Sequence, residues 1–161
     1  ITVGVSVAKA LENRGATPNL KWPNDIFIGE KKCGGILCES RVSENMVQNM
    51  VIGIGLNINE TENDFPEDLR SSSTSLSTET GHTNQRELVC AILTTYFEQL
   101  MDDLTSNFKL WESYCSHLNR KVAFHHDNSE HTGIFKGINE KGHALIDIKN
   151  KPLTFPSITL K

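Results

Sequence analysis

Pro23, set between two short apolar runs, constrains the fold of this 161-residue chain more than any other residue. It has no N–H to give to a ladder and fixes its own φ, so a strand carrying Leu20, Lys21 and Trp22 must end there. Asn24 and Asp25 bond readily to nearby backbone and close a turn. Side chains alternate along a strand, which puts Leu20 and Trp22 on one side and Lys21 on the other, at a strand end beside a tight turn. Ile26-Phe27-Ile28 then leads into Gly29-Glu30, a hairpin-type connection, and Lys31 begins a returning strand. An antiparallel pair is predicted.

The returning strand carries Gly34-Gly35 followed by Ile36-Leu37. Paired glycines weaken a strand and mark either a bulge or the close approach of another backbone or a ligand. A third strand is predicted over 47–59, with Gly53 and Gly55, ending in Asn57-Ile58-Asn59. Taken singly, these features belong most often to structure: a lysine on a solvated edge, glycines in a bulge. Together they describe one wall of a site for a small anionic ligand.

Elsewhere the period decides the element. Val3, Val7, Ala10 and Leu11 have helical spacing over 1–13, with Gly15 as a stop, and the segment lacks the basic start and cleavage site of a signal peptide. Residues 60–77 read as a long polar loop with Pro66 and Ser71-Ser72-Ser73. The strongest periodicity lies over 86–103, where Leu88, Val89, Ile92, Leu93, Tyr96, Phe97, Leu100 and Met101 form one apolar face. That stripe predicts a core helix, with Asn84 ahead of it as cap and Glu87 three residues on. A further helix is predicted over 107–118. From Lys121 the period becomes two, predicting five short strands separated by turns at Asp127-Asn128, at 139–142 and at 149–151. The class is α+β, with a small barrel at the end.

Composition narrows the function. Hydrophobic residues are 37% and charged residues 22%, enough for one or two small globular units. No apolar run approaches the 18 or so residues of a membrane span, so no membrane partner is expected. A net charge of −4 argues against a nucleic-acid surface, which needs clustered Lys and Arg. Cys33, Cys38, Cys90 and Cys115 have no C-x-x-C spacing, so no metal site is expected and they read as buried or half-buried thiols in a reducing, cytoplasmic compartment. The six histidines, including His117 and the His125, His126 and His131 of a polar hairpin, read as scattered surface residues rather than metal ligands.

Lys21-Trp22-Pro23-Asn24-Asp25, then Lys-x-x-Gly-Ile-Leu-x-Glu from Lys32 to Glu39, then Gly-x-Gly-x-Asn from Gly53 to Asn57 resemble the biotin protein ligases. The likeness continues through Thr74-Ser75-Leu76 with Glu79 and Gly81, the helix from Arg86, and Asn119-Arg120-Lys121-Val122, and so spans almost the whole chain. It implies a class II synthetase-like catalytic domain over 1–118, with a mixed or antiparallel sheet and helices, incomplete here, and an SH3-like barrel over 119–161. The implied activity uses ATP to make biotinyl-5′-adenylate and passes biotin to a lysine of a carboxylase's carrier domain.

The resemblance gives Lys21 the role of the lysine that meets the biotin carboxylate and the adenylate. Gly34, Gly35, Ile36 and Leu37 would floor the biotin pocket, and Asn57 would lie near the nucleotide. Trp22, Asn24 and Asp25 would hold the turn that aims Lys21. Mg²⁺ is implied with ATP, bound mainly through phosphates and so needing few protein ligands. Two alternatives stand beside this one: a lipoate ligase-like enzyme, and a non-catalytic module that binds a carrier domain or partner chain.

The family's Gly-Arg-Gly-Arg-x-Gly loop and the Ser-Thr and Gln residues that meet the biotin ring have no counterpart in the sequence. The chain is therefore expected to be a fragment, to need a missing segment or to self-associate, and to lack full activity alone. Purified as these 161 residues, it is expected to show little biotin-dependent exchange of pyrophosphate into ATP; robust exchange refutes that expectation.

Overall fold

The computed structural model describes residues 1–44, 46–127 and 129–160. Its first element, α1 (Thr2–Asn13), buries Val3, Val5, Val7, Ala8, Ala10 and Leu11. Burial all round fits its position, with a sheet on one side and two later helices on the others. Removing side chains such as Val5 and Leu11 from water contributes about 2 kcal/mol each, so this helix organises what surrounds it.

Four antiparallel strands follow in chain order: β1 (Pro18–Lys21), β2 (Asp25–Ile28), β3 (Lys31–Ser43) and β4 (Met46–Leu56). The predicted alternation holds, with Leu20 and Trp22 buried and Lys21 half-exposed. β1 ends at Lys21, two residues before Pro23, as its missing N–H requires. β4 stops three residues short of the predicted third strand. From Asn57 the backbone turns to another partner: Leu76 N–H donates to the Asn57 carbonyl (2.9 Å) and Ser77 N–H to that of Ile58 (2.8 Å). β3 and β4 run on well past the short β2, and their distal parts leave Leu37, Val42, Met46, Val47, Met50 and Val51 each more than half exposed.

The polar segment over 60–77 is tethered and partly helical. It forms two 3-10 turns, Glu62–Asp64 and Glu67–Leu69, and then runs beside Lys32, whose N–H donates to Ser72 O (2.8 Å) while its carbonyl accepts from Thr74 N–H (2.9 Å). A short α2 (Leu76–Thr80), absent from the sequence expectation, is capped by Ser75 Oγ and closed by Gly81 at φ 75°.

α3 (Arg86–Leu100) packs against α1, with Leu93 and Leu100 half-buried against the core, so its apolar stripe is only partly core. Only Val89 is buried within it, while Leu88 and the following Met101 are exposed. The helix lies on the outside of α1, and nothing among the described residues covers its second flank. Asn84 does not cap it either. Asn84 is buried, its Oδ1 accepting from Arg14 Nε (2.9 Å) and its backbone N–H donating to Asn59 Oδ1 (2.9 Å).

α4 (Ser106–Tyr114) ends earlier than its pattern, because the chain turns at Cys115 to pair with Leu20. The last five strands are where period two placed them: β5 (Lys121–His126), β6 (Ser129–Ile138), β7 (Ala144–Ile148), β8 (Lys151–Phe155) and β9 (Thr159–Leu160). They form one antiparallel sheet in the order β8-β7-β6-β5-β9 around Phe124, Phe135, Ile146 and Phe155. No β8–β9 pairing closes it among the described residues, so the predicted barrel is here an open sheet; β9 has only two residues to offer. Asn128 of the predicted turn lies outside the described residues.

Two predictions about side-chain exposure are corrected. Cys38 and Cys90 are exposed rather than half-buried, since they lie on the projecting hairpin and on the open flank of α3. His117 is buried rather than at the surface, because the turn after α4 is pressed between the two sheets. No helix of the described residues is long and apolar enough to cross a membrane.

Candidate ligand site

The site is built where β1 turns into β2. Lys21 is the last ladder residue of β1, paired with Asp25, and its two neighbours anchor it. Leu20 is buried and its carbonyl accepts from Ser116 N–H (3.1 Å), while the indole Nε1–H of Trp22 donates to the Gly142 carbonyl (3.0 Å). Buried on both sides and bonded at both ends, this stretch has little freedom, so the lysine leaves the sheet from a fixed backbone.

The turn itself is bolted to β3. Asn24 Nδ2 donates to Ile36 O (2.7 Å), and Ile36 N–H donates back to Asn24 O (2.9 Å). Asp25 is held by Lys32, 2.5 Å away, so its charge is already neutralised by a partner other than Lys21. The paired glycines lie at the predicted irregularity, where the β2–β3 register skips Cys33 between Gly34 and Lys32. A Cβ on Gly34 would stand 2.3 Å from the Gly55 carbonyl, so only glycine lets β3 and β4 approach this closely.

Around this turn lie two concavities that share Asn24, Asp25, Ile36 and Leu37. One, of about 330 Å³, is lined by Lys21, Pro23, Asn24, Asp25, Ile36 and Leu37 and backed by Trp111. The other, of about 480 Å³, lies against Gly35, Ile36, Leu37 and Lys32 with Gly53 and Gly55. Both fall within the usual range for small-molecule sites, apolar with a few convergent polar groups. A flexible ammonium at the rim of an apolar slot can meet the charged end of a ligand whose body is apolar.

The structure therefore brings Lys21, Asn24, Asp25, Ile36 and Leu37 to one cavity, with Gly35 next door. It does not bring Asn57 there. Asn57 lines a third concavity with Gly34, Gly55 and Ser73, and its side-chain amide donates to Thr74 O (3.0 Å). Trp22 contributes through its indole bond and is itself buried. Cys33 lies beside the glycines but is no nucleophile: burial first, then Glu60 and Glu79, pushes its thiol up to about 12, and Sγ–H donates to Asn57 O (3.4 Å).

His117 is the neighbour that the sequence hid. Its ring lies 4.2 Å from that of Phe135 and 3.6 Å from Cys115 Sγ. Burial first, and then the charges of Lys21 and Arg120, hold its pKa down to about 4, so it is neutral near pH 7. Nothing in its local sequence distinguishes it from a surface histidine. Among the described residues no group of three or more His, Cys, Asp or Glu side chains could hold a metal ion.

Residues 1–57 match the model of the biotin/lipoate A/B protein ligase family. The chain is 34% identical over 153 residues to the bifunctional ligase/repressor BirA of Bacillus subtilis, a match spanning 91% of this chain and 47% of that protein. It superimposes on the apo structure of biotin protein ligase from Aquifex aeolicus with a TM-score of 0.84 at 28% identity, covering 99% of this chain and 72% of that one. In sequence and in fold the chain is similar to biotin protein ligases. The same Aquifex enzyme in complex with biotin and ATP matches this chain with a TM-score of 0.79 at 28% identity, over 99% of this chain and 69% of that one. A biotin–[acetyl-CoA-carboxylase] ligase of Paracoccus denitrificans is 29% identical over 79% of this chain and 55% of its own length. The chain spans about half the length of the curated relatives it matches.

The depressed pKa of His117 has a consequence with a definite sign. Its folded pKa, about 4, lies below the ordinary 6.5, so the unfolded chain binds the extra proton first as pH falls. Its contribution to stability is complete above about pH 6.5 and is lost as pH falls towards 4. Denaturant melts of the wild type and His117→Phe between pH 4 and 7 are expected to show a flatter acid limb in the variant; parallel limbs overturn the assignment.

Proposed function

We propose that this chain carries the lysine-bearing part of an ATP-dependent biotin protein ligase, which attaches biotin to a lysine of a carboxylase's biotin carrier domain through biotinyl-5′-adenylate. The observation that carries this is Lys21, held at the rim of an apolar cavity walled by Ile36 and Leu37, in a chain whose fold matches an enzyme solved with biotin and ATP. In this proposal Gly35, Ile36 and Leu37 floor the biotin site, and Gly34, the residue before them, lets β4 close up against them. Asn57 serves the nucleotide from the neighbouring concavity, while Trp22, Asn24 and Asp25 fix the lysine.

The chemistry asks for such a cation. A biotin carboxylate attacking the α-phosphate of ATP brings two anions together and expels pyrophosphate, and charge builds on the α-phosphate oxygens as the bond forms. An ammonium already in place stabilises that charge more than it stabilises the separated reactants. Because Asp25 is taken up by Lys32, Lys21 keeps its whole charge for the ligand. Mg²⁺ in this proposal arrives on the nucleotide, bound mainly through its phosphates and keeping most of its waters.

Residues 119–161 form the second domain in this proposal, SH3-like, with a core of its own in Phe124, Phe135, Ile146 and Phe155. Residues 1–118 supply the ligand site. The setting is cytoplasmic. The exposed Val42, Met46, Val47 and Met50 of the projecting hairpin favour a chain that packs against a further segment or against itself. Light scattering across a concentration series is expected to give a mass that rises with concentration; a constant monomer mass counts against this.

Calorimetry with a non-hydrolysable biotinyl-adenylate analogue tests the main proposal. Saturable binding is expected, with Lys21→Ala weakening it on the order of a hundredfold, as for removal of a preorganised group that meets developing charge. Absence of binding by the wild type, or equal binding by the variant, defeats the ligase proposal for this chain.

A further inference from the structure

The turn between β6 and β7 is closed several times over. Asn139 N–H donates to His143 O (3.0 Å) and Gly142 N–H to Asn139 O (2.8 Å), while Asn139 Oδ1 accepts from the N–H groups of Lys141 (2.9 Å) and His143 (3.0 Å). Both lone pairs of that amide oxygen are spent inside the turn. Gly142 stands at φ 76°, where a side chain would be strained. So rigid a turn delivers one group at a distance: the Gly142 carbonyl, which accepts from the indole Nε1–H of Trp22 (3.0 Å), 120 residues earlier in the chain.

Trp22 follows Lys21 and is 3% exposed. Its N–H is the one polar atom on a buried ring, and a buried donor without an acceptor is costly, so the bond holds the residue beside Lys21 to a fixed point of the C-terminal sheet. β6, the strand that enters this turn, also reaches the other neighbour of Lys21. Phe135 accepts from Asn119 N–H (2.7 Å) and donates to Arg120 O (3.0 Å), and the same linking stretch donates from Ser116 N–H to Leu20 O (3.1 Å). Between these points Gly137 lets β6 pass close to α4, where a Cβ would stand 2.5 Å from Glu112 Oε1. Lys21 has no ion-pair partner among the described residues. A long side chain without a partner goes where its backbone and rotamer send it.

We propose that Trp22 is a positioning residue through which the β6–β7 turn sets the place of the Lys21 ammonium. Asn139 and Gly142 line none of the cavities described above, yet they decide how well the lysine meets its ligand. Small misplacements of such a group are expensive in binding and rate. The coupling itself belongs to the ligand-free fold; its effect on an acyl-adenylate rests on the ligase proposal.

Trp22→Phe keeps a ring and removes the donor, whereas Asn139→Ala keeps Trp22 and opens the turn. Each is expected to weaken the biotinyl-adenylate analogue about fivefold, the scale of one net hydrogen bond. Because they break one path, the two together are expected to lose no more than either alone. In a Lys21→Ala background neither is expected to weaken binding further, although the loss of thermal stability each causes persists; a merely structural role weakens binding equally in both backgrounds. Without ligand, both variants are expected to move the Lys21 Cε NMR signal, assigned by its disappearance in Lys21→Ala, and to leave that of Lys9 in place. Circular dichroism checks the fold, and Trp22→Phe carries the test alone where Asn139→Ala does not fold. An unmoved Lys21 signal, wild-type affinity in Trp22→Phe, losses that add, or an affinity loss that survives Lys21→Ala overturns the coupling. A moved signal in a chain that binds no analogue removes the ligase proposal and leaves the coupling, whereas analogue binding with an unmoved signal does the reverse.

Discussion

The backbone bond from Ser116 N–H to the Leu20 carbonyl ties the first sheet, beside Lys21, to the chain that leads into the second. On one side of it, Leu20 seats β1 against α1, and so fixes where Lys21 begins. On the other, the chain after α4 is committed to a path that presents His117 and Arg120 to the same lysine. The Trp22 indole adds a second fastening, to Gly142, some way along the C-terminal sheet. Two fastenings a few residues apart resist rotation as well as separation. A single hydrogen bond contributes about 1 kcal/mol, yet here each also sets the angle between two sheets, an effect well beyond its own energy.

The local parts of this arrangement were legible in the chain. Pro23 ends a strand because of its own chemistry, and the Gly34-Gly35 irregularity follows from the absence of side chains; neither needs a distant partner to be foreseen. The period-two strands after Lys121 were legible for the same reason, since alternation is a property of neighbours. The family motifs named a lysine and a glycine strand, and the fold sets Lys21, Ile36 and Leu37 around one cavity.

What could not be read depends on residues far apart in the chain. Asn84 has the composition of a helix cap, but Arg14 and Asn59 claim it from 70 and 25 residues away. The stripe on α3 is core along one flank alone, and periodicity could not say so, because it reports that a face is apolar and not what lies against it. Asn57 shares a motif with the glycines of β4, yet its amide is spent on Thr74 in a neighbouring concavity. The bond between the Trp22 indole and Gly142 has no signature at all, because it arises only when the two sheets meet.

The β3–β4 hairpin, finally, behaves as a cantilever. β2 begins at Asp25, opposite Gly35, so beyond Ile36 the hairpin has only its own two strands, and its fixed end is the pair of hydrogen bonds between Asn24 and Ile36. A beam clamped at one end deflects most at its tip and hardly at all at the clamp. Whatever swing or twist the distal residues undergo, Ile36 and the turn below Lys21 stay in step, so the width of the apolar slot is insulated from the motion of the arm that extends from it.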